Sequence, residues 1–306
     1  MKYNTFNQHM NQEFRDAVAS GDISREAINP LLLLEVNLNI WEHNKLMVFP
    51  ESEELLNKLL SSKRSISQPE AISPLSAAFI FCLPKGFIIA EKEVHAVLFT
   101  YLKYKDRRPY QKNVESLYHN KVSIEHPQNI NGDERMLTMI MDLGTHYSSA
   151  CIPESKLNEC LTAKNEDDFI DVLGKLDLGE IDYDSPAHFT AAKLQLATLK
   201  LYIGMCLYIQ AGGNEVLVDG MPVTKPGQVN FPDMQQKTAK KVTLKSLATN
   251  KKNPHAHYRS WHFRQLTDDR YYKGEYEGME PGSRIVFVRD TYVGDKIKAK
   301  TLRDKK

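Results

Sequence analysis

Residues 78–104 read AFIFCLPKGFIIAEKEVHAVLFTYLKY. The turn Pro84-Lys85-Gly86 helps to divide this stretch into short apolar and aromatic runs, at 78–83, 87–90 and 94–104. Short runs separated by turn residues are typical of antiparallel strands. The stretch therefore predicts an antiparallel sheet, which the runs at 116–125 and 136–147 are expected to extend.

Helices are expected in the sequence before and after this sheet. Capping residues and apolar runs predict three helices before it, at about 4–19, 24–41 and 52–60. After it, Ser185-Pro186 begins a long apolar helix at about 187–210, which Gly212-Gly213 ends. Lysine and glutamine residues interrupt the apolar positions of this helix, which indicates a buried core helix rather than a membrane span.

The expected fold class is α+β, with N-terminal helices, a central antiparallel sheet, a long core helix and a C-terminal β-ribbon. The ribbon is predicted by alternating residues on either side of a glycine-containing gap. The stretch before it has many lysines and few apolar residues, which is typical of a linker. Four regions follow: an N-terminal helical region at 1–66, an α+β core at 67–223, a basic linker at 224–253, and a basic ribbon at 254–306 that packs on the core.

Composition excludes several classes of protein but names no function. The 306 residues are 42% hydrophobic and 26% charged, which excludes a disordered or collagen-like chain. The net charge is only +1, yet residues 237–306 carry eighteen Lys and Arg against eight Asp and Glu. Four scattered cysteines indicate a reducing cytosol. No phosphate loop, dinucleotide fingerprint or zinc-protease helix is present, so we assign no catalytic residue, cofactor or metal.

Histidine, arginine and aromatic residues concentrate in one segment near the C-terminus: His255, His257, Arg259, Trp261, His262, Phe263 and Arg264. On a strand, its odd-numbered residues share one face and its even-numbered residues the other. A metal site needs three or four ligands, of which His255 and His257 supply two. Two histidines with an arginine suit acid/base cleavage of RNA.

Two further interpretations of the segment remain. The basic end and its aromatic residues suit nucleic-acid binding, through phosphate contacts and stacking. Alternatively, the histidines and arginines are structural. Residues 1–236 carry a net charge of −9. The same histidines and arginines would then satisfy buried carbonyls and carboxylates of that part of the chain and hold the ribbon in place.

The closing stretch contains a pattern of histidine, arginine and apolar residues: His257, Arg259 and His262, then Arg284, Ile285, Phe287, Tyr292 and Val293, with Phe263 and Arg264 as looser matches. This pattern resembles the C-terminal motif of a family of phage and plasmid proteins that includes a type V-A anti-CRISPR protein. The Gly-Met-Pro-Val at 220–223 and the Leu-Pro turn within 79–90 are similar to two further family elements. The sequence departs from the family pattern at Ser260, Trp261, Phe263 and Arg264.

The resemblance implies a counter-defence protein that is encoded on mobile DNA and acts in the cytoplasm of a bacterial host. The implied partner is the polypeptide of a defence nuclease, met during translation, and the implied result is loss of the nuclease and its messenger RNA. RNA is a second expected partner, through the basic end, and no membrane contact is expected. The expected binding residues are His257, Arg259, Trp261, His262, Phe263, Arg264 and Arg284.

Two other functions stay open on the same residues. One is an RNA-cleaving or RNA-modifying enzyme with His257, His262 and Arg264 at its centre. The other is a plain nucleic-acid-binding protein, whose affinity would fall steeply with salt.

Overall fold

The computed structural model of the chain describes most of the sequence, with gaps. The described residues are 2–6, 16, 20, 25–61, 74–117, 131–163, 166–174, 186–222, 229, 231, 234–246, 257–259, 262–279, 281–288 and 291–293. Most of the helix expected at 4–19 and residues 118–125 of the run expected at 116–125 lie outside this set.

A mixed sheet of seven strands forms the centre of the described structure. Its strands are β1 (Leu46–Pro50), β2 (Ala78–Cys82), β5 (Ala96–Lys103), β6 (Arg135–Asp142), β7 (Tyr147–Pro153), β8 (Leu217–Asp219) and β9 (Lys240–Leu244). Their order across the sheet is β7-β6-β5-β2-β1-β9-β8. Strand β1 is parallel to both neighbours, and every other neighbouring pair is antiparallel. A separate small hairpin joins β3 (Ile88–Ile89) to β4 (Lys92–Glu93).

Helices cover both faces of the sheet. They are α1 (Arg25–Asn44), α2 (Glu53–Leu60), α3 (Tyr104–Leu117), α4 (Leu157–Thr162), α5 (Glu166–Gly174), α6 (Pro186–Gly212) and α7 (Met234–Thr238). Short 3₁₀ turns lie at Glu154–Lys156, Gly213–Glu215, Asp269–Tyr271 and Gly274–Tyr276. Helices α1 and α3 pack together on one face, while α2 and α5 pack on α6 on the other face.

The strand periodicity explains why both faces are apolar. In β2, Phe79 and Phe81 point toward the α6 face, and Ile80 and Cys82 point toward the α1 face. Such a strand is buried on both sides and has no polar alternation. The antiparallel strands β2, β5 and β6 confirm the sheet expected from the AFIFCL stretch, within a fold of the α+β class. Strand β7, which was not predicted, extends this sheet. The run expected at 87–90 lies instead in the separate β3–β4 hairpin, and residues 116–117 of the run expected at 116–125 belong to α3.

The parallel centre of the sheet differs from the sequence prediction. Strand β1 falls inside the region expected to be helical at 1–66, and β9 falls inside the basic linker expected at 224–253. Strand β9 lies between β1 and β8, with Val242 directly opposite Val48. The expected boundaries at 66 and 223 therefore separate strands of one sheet. Five-residue strands with partners nearly two hundred residues away leave little local signal.

Helix α6 is the longest described helix, with 27 residues. Its residues Tyr202, Met205 and Tyr208 are buried in the core cluster, as expected for a core helix. Among the described helices, none has the length and apolar content needed to cross a membrane.

The C-terminal residues pair as two short antiparallel ladders. Strand β10 (His257–Arg259) pairs with β13 (Thr291–Val293), and β11 (His262–Leu266) pairs with β12 (Arg284–Val288). Residues 260, 261, 289 and 290 between the ladders lie outside the described residues, so a continuous ribbon stays a prediction. Phe287 of β12 meets Tyr208 of α6 edge-on, with ring centroids 6.0 Å apart.

Candidate functional site

The residues expected to form the site are distributed over three C-terminal strands. His257 and Arg259 lie in β10, His262, Phe263 and Arg264 lie in β11, and Arg284 begins β12. Trp261 and the side chains of His257, Arg259, His262 and Phe263 lie outside the part of the chain that the structure describes. The side chains that can be placed are therefore those of Arg264 and Arg284.

Both arginines belong to a group of guanidinium groups and phenol rings that we call the arginine–tyrosine surface: Arg264, Arg270, Tyr271, Tyr276 and Arg284. The guanidinium carbons of Arg264 and Arg270 lie 5.8 and 4.8 Å from the ring centroid of Tyr271. The guanidinium of Arg284 lies 3.3 Å from the ring centroid of Tyr276. Contacts of this kind attract a cation to the negative face of the ring.

A buried tyrosine holds the loop that carries this surface. The Tyr272 hydroxyl accepts from the backbone N–H groups of Gly282 and Arg284, at 2.8 and 3.1 Å. It also donates to the carbonyl of Leu266 at 2.5 Å. One phenol thereby ties the end of β11 to the start of β12 across the intervening loop.

The arginines of the surface have different roles. Arg284 donates from Nη1 to the carbonyl of Tyr271 at 2.6 Å and is half-buried, so its charge serves the loop itself. Arg264 and Arg270 are exposed. Arg270 also lies 3.4 Å from a carboxylate oxygen of Asp268 and donates to the Tyr271 hydroxyl at 2.9 Å. The guanidinium groups of Arg264 and Arg270 therefore lie together at the surface beside Tyr271, where an outside anion can reach them.

The positive charge of the C-terminal region lies mostly outside this loop. Residues 262–288 contain four Lys and Arg against five Asp and Glu, whereas residues 294–306 contain six against two. Because His257 pairs with Val293, the chain enters and leaves the ladders at the same end. The lysines at 251 and 252 and those of residues 294–306 are close in the sequence to His257 and Val293, but they lie outside the residues that the structure describes.

A second polar cluster, which the sequence analysis missed, is buried on the α1 face of the sheet. Nη2 of Arg107, from α3, donates to Oδ1 of Asn37 at 2.6 Å and to the hydroxyls of Thr100 and Thr138 at 2.9 and 2.6 Å. Arg107 is only 3% exposed. Its Nε has no hydrogen-bond partner among the described residues. We call these four residues, together with Cys151, the Arg107 cluster.

The strand register builds this cluster. Thr100 of β5 lies opposite Thr138 of β6, and Thr138 lies opposite Cys151 of β7. The three side chains form a row on one face of the sheet, and Thr138 Oγ1 lies 3.5 Å from Cys151 Sγ. Burial lowers the pKa of the Arg107 guanidinium, and the neighbouring Cys151 partly opposes that effect.

One sequence signal points toward the Arg107 cluster. Thr100 and Thr138 interrupt two strongly apolar strands, AVLFTYLK and RMLTMIMD, and their neighbours Leu98, Met136 and Ile140, two residues away, are buried. Buried hydroxyls need hydrogen-bond partners, so two such threonines predict a polar group facing them. The sequence does not indicate that this group comes from Arg107, because most residues of α3 are polar.

The polar residues at the turn between β6 and β7 have local roles. Asp142 Oδ1 accepts from the N–H of Gly144 at 2.8 Å and thereby closes the turn. His146 is exposed and lies beside the hydroxyl of Thr145. Within the described ranges, no group of three His, Cys, Asp or Glu side chains is arranged to hold a metal ion.

Comparison with known proteins identifies no relative. No protein-family model matches the chain, and neither a curated protein nor a solved structure matches it significantly. The site therefore has to be interpreted from its own geometry.

Proposed function

We propose that the protein is a counter-defence binding protein that contacts RNA through its C-terminal region and lowers the expression of a bacterial defence nuclease. The nuclease target comes from the resemblance of the C-terminal motif alone. The RNA contact has a structural argument beside the resemblance, and that argument rests on the arginine–tyrosine surface.

The observation that carries the RNA contact is the placement of two exposed guanidinium groups, those of Arg264 and Arg270, beside the ring of Tyr271. Exposed guanidinium groups beside an aromatic ring offer phosphate contacts and a stacking plane together, as single-stranded RNA requires. The lysines that flank His257 and Val293 in the sequence, at 251 and 252 and within 294–306, add sequence-independent attraction for phosphate. A single-stranded RNA segment fits this combination better than a duplex, because stacking on a side chain needs an unpaired base.

The edge of the sheet supports a polypeptide partner. Strand β7 has seven residues and lies at one end of the described strand order, beside β6. An edge strand of this length can receive an extended peptide as an added strand.

RNA binding can be tested with a labelled, unstructured oligonucleotide, by fluorescence anisotropy over a series of salt concentrations. We expect the Arg264→Ala/Arg270→Ala double variant to bind about tenfold more weakly at low salt and to lower the salt slope by about 1.4. The matched control is Lys85→Ala/Lys92→Ala, which removes two exposed charges from the β3–β4 region. Equal loss in both double variants, or no binding by the unmodified protein, would overturn the RNA contact.

The cellular function needs a separate experiment. The protein is expressed in bacteria that carry a type V-A effector nuclease, and the effector's protein and messenger RNA are measured beside an unrelated transcript. We expect selective loss of both, which disappears when the effector's N-terminal codons are changed to encode another peptide. No loss would refute the counter-defence function. Loss of all transcripts alike, abolished by His257→Ala or His262→Ala, would favour an RNA-cleaving enzyme.

A further inference from the structure

We propose that Cys151 is the reactive thiol of this protein and that the Arg107 cluster is a modification site for peroxides and small electrophiles. The proposal concerns the α1 face of the sheet rather than the C-terminal strands that carry the proposed RNA contact. It rests on the contrast between Cys151 and the other cysteines and on the buried guanidinium beside it.

The four cysteines differ in access. Cys82, Cys160 and Cys206 are buried, whereas Cys151 is partly exposed on the edge strand β7. Burial raises the pKa of the Cys160 and Cys206 thiols to about 12 and raises that of Cys82 further. A thiol reacts as its thiolate, so these three are inert near neutral pH. Selective reaction at Cys151 follows from the fold.

The surroundings of Arg107 favour an anion next to Cys151. The three oxygens that accept from Nη2 belong to one amide and two hydroxyls, all of them neutral. A buried guanidinium is stabilised by an opposite charge, and its Nε still has a hydrogen-bond position without a described partner. The hydroxyl of Thr138 accepts from Arg107 Nη2 and lies 3.5 Å from Cys151 Sγ. This one hydroxyl therefore links the thiol to the guanidinium.

A second unsatisfied atom lies on the same helix. Gln111, one turn after Arg107 in α3, is 8% exposed, and its Oε1 has no hydrogen-bond partner among the described residues. Two buried polar atoms of α3 thus lack partners on the helix that carries the guanidinium. A buried polar atom without a protein partner requires another explanation, such as an ordered water, an ion or a redox role.

The chemistry with peroxide is a single displacement. The Cys151 thiolate attacks one peroxide oxygen, a sulfur–oxygen bond forms, and the oxygen–oxygen bond breaks. The second oxygen leaves as hydroxide and takes the proton of the newly formed sulfenic acid to become water. Sulfur is oxidised by two electrons and peroxide is reduced by two. The product, a sulfenate, is an anion that the Arg107 guanidinium stabilises.

The test uses the full chain in its native state. The protein is treated with iodoacetamide, or with hydrogen peroxide followed by dimedone, and labelling of each cysteine is followed by peptide mass spectrometry. We expect Cys151 to be labelled at least as fast as free glutathione. The other three cysteines should be labelled only after denaturation.

Variants of Arg107 and its neighbours then show whether the labelling rate of Cys151 depends on the Arg107 charge or only on the exposure of the thiol. Arg107→Met removes the buried charge, and we expect labelling of Cys151 to slow about tenfold. Arg108→Met, its exposed neighbour on α3, removes the same charge and should leave the rate unchanged. If Arg107→Met unfolds the protein, Thr138→Val decides, because it removes the shared hydroxyl at nearly constant volume and should slow labelling several-fold.

Three outcomes would overturn the proposal. The first is labelling of Cys151 no faster than that of Cys160 in the native protein. The second is an equal rate loss in Arg108→Met and Arg107→Met. The third is a Thr138→Val variant that folds and labels at the unmodified rate.

Discussion

Arg107 places a positive charge against the sheet, where the atoms that surround it have little freedom to move away. Asn37 Oδ1 accepts from Arg107 Nη2 and also from the Thr100 hydroxyl, at 2.6 and 2.5 Å. The Asn37 amide nitrogen donates to the carbonyl of Leu33, so the side chain is held in one orientation. A single amide oxygen therefore connects α1 to β5 and α3.

Replacing Asn37 should lower the free energy of unfolding more than replacing the nearby Asn39. Asn37→Ala leaves the buried guanidinium with one acceptor fewer, and we expect the free energy of unfolding to fall by about 2 to 3 kcal/mol. Asn39→Ala, two residues on in α1, removes an Oδ1 that has no partner among the described residues. That control should cost about 0.5 kcal/mol or less, and urea unfolding followed by circular dichroism distinguishes the two.

Two glycines allow backbone strain to be separated from steric overlap. Gly86 and Gly144 have φ values of +81° and +83°, a region that disfavours a side chain. A Cβ on Gly86 would meet nothing within 4 Å, while one on Gly144 would lie 2.7 Å from Cε1 of His95. The two positions therefore differ in space but not in backbone conformation.

We expect Gly86→Ala to lower the free energy of unfolding by about 1 kcal/mol, from the backbone term alone. Gly144→Ala should cost about 2 to 3 kcal/mol, since His95 must also move. Thermal or urea unfolding of both variants gives the comparison. Equal losses would show that the His95 ring moves aside without cost.

At the scale of elements, the predictable part of the fold is the part with strong local patterns. Helix α2 has a serine N-cap, and β2 and β5 are long apolar runs around a turn. Strand β9 reads KKVTL, whose lysines resemble a linker, and its partners come from distant segments. The Arg107 cluster was missed for the same reason, because its members come from α1, α3 and three strands.

Hydrogen exchange can confirm that β9 is a central strand. Its residues 240–244 lie between β1 and β8, so we expect their amides to exchange only through opening of the whole sheet. The β3–β4 hairpin, with two residues per strand, is the internal control and should exchange faster by about two orders of magnitude. Exchange of β9 as fast as that hairpin would restore the linker interpretation.

At the scale of the whole molecule, the described contacts divide the chain into a large sheet-and-helix body and a C-terminal unit. Both core clusters draw their buried residues from the part of the chain before residue 247. The C-terminal ladders contact α6 through Phe287, which meets Tyr208 from outside the core. The residues of the core and those of the proposed RNA contact therefore lie in different parts of the described structure.

This division predicts the behaviour of a chain that ends at residue 246. Such a chain keeps all seven strands of the sheet, so we expect cooperative unfolding with a stability loss of about 1 kcal/mol, from exposure of Tyr208. It should bind no RNA and leave the nuclease transcript intact.

Phe287→Ala in the full chain is the matched control, because it weakens the same contact while retaining the arginine–tyrosine surface. A truncated chain that folds and still binds RNA would move the RNA contact onto the body, whereas an unfolded one would make the C-terminal unit part of the core.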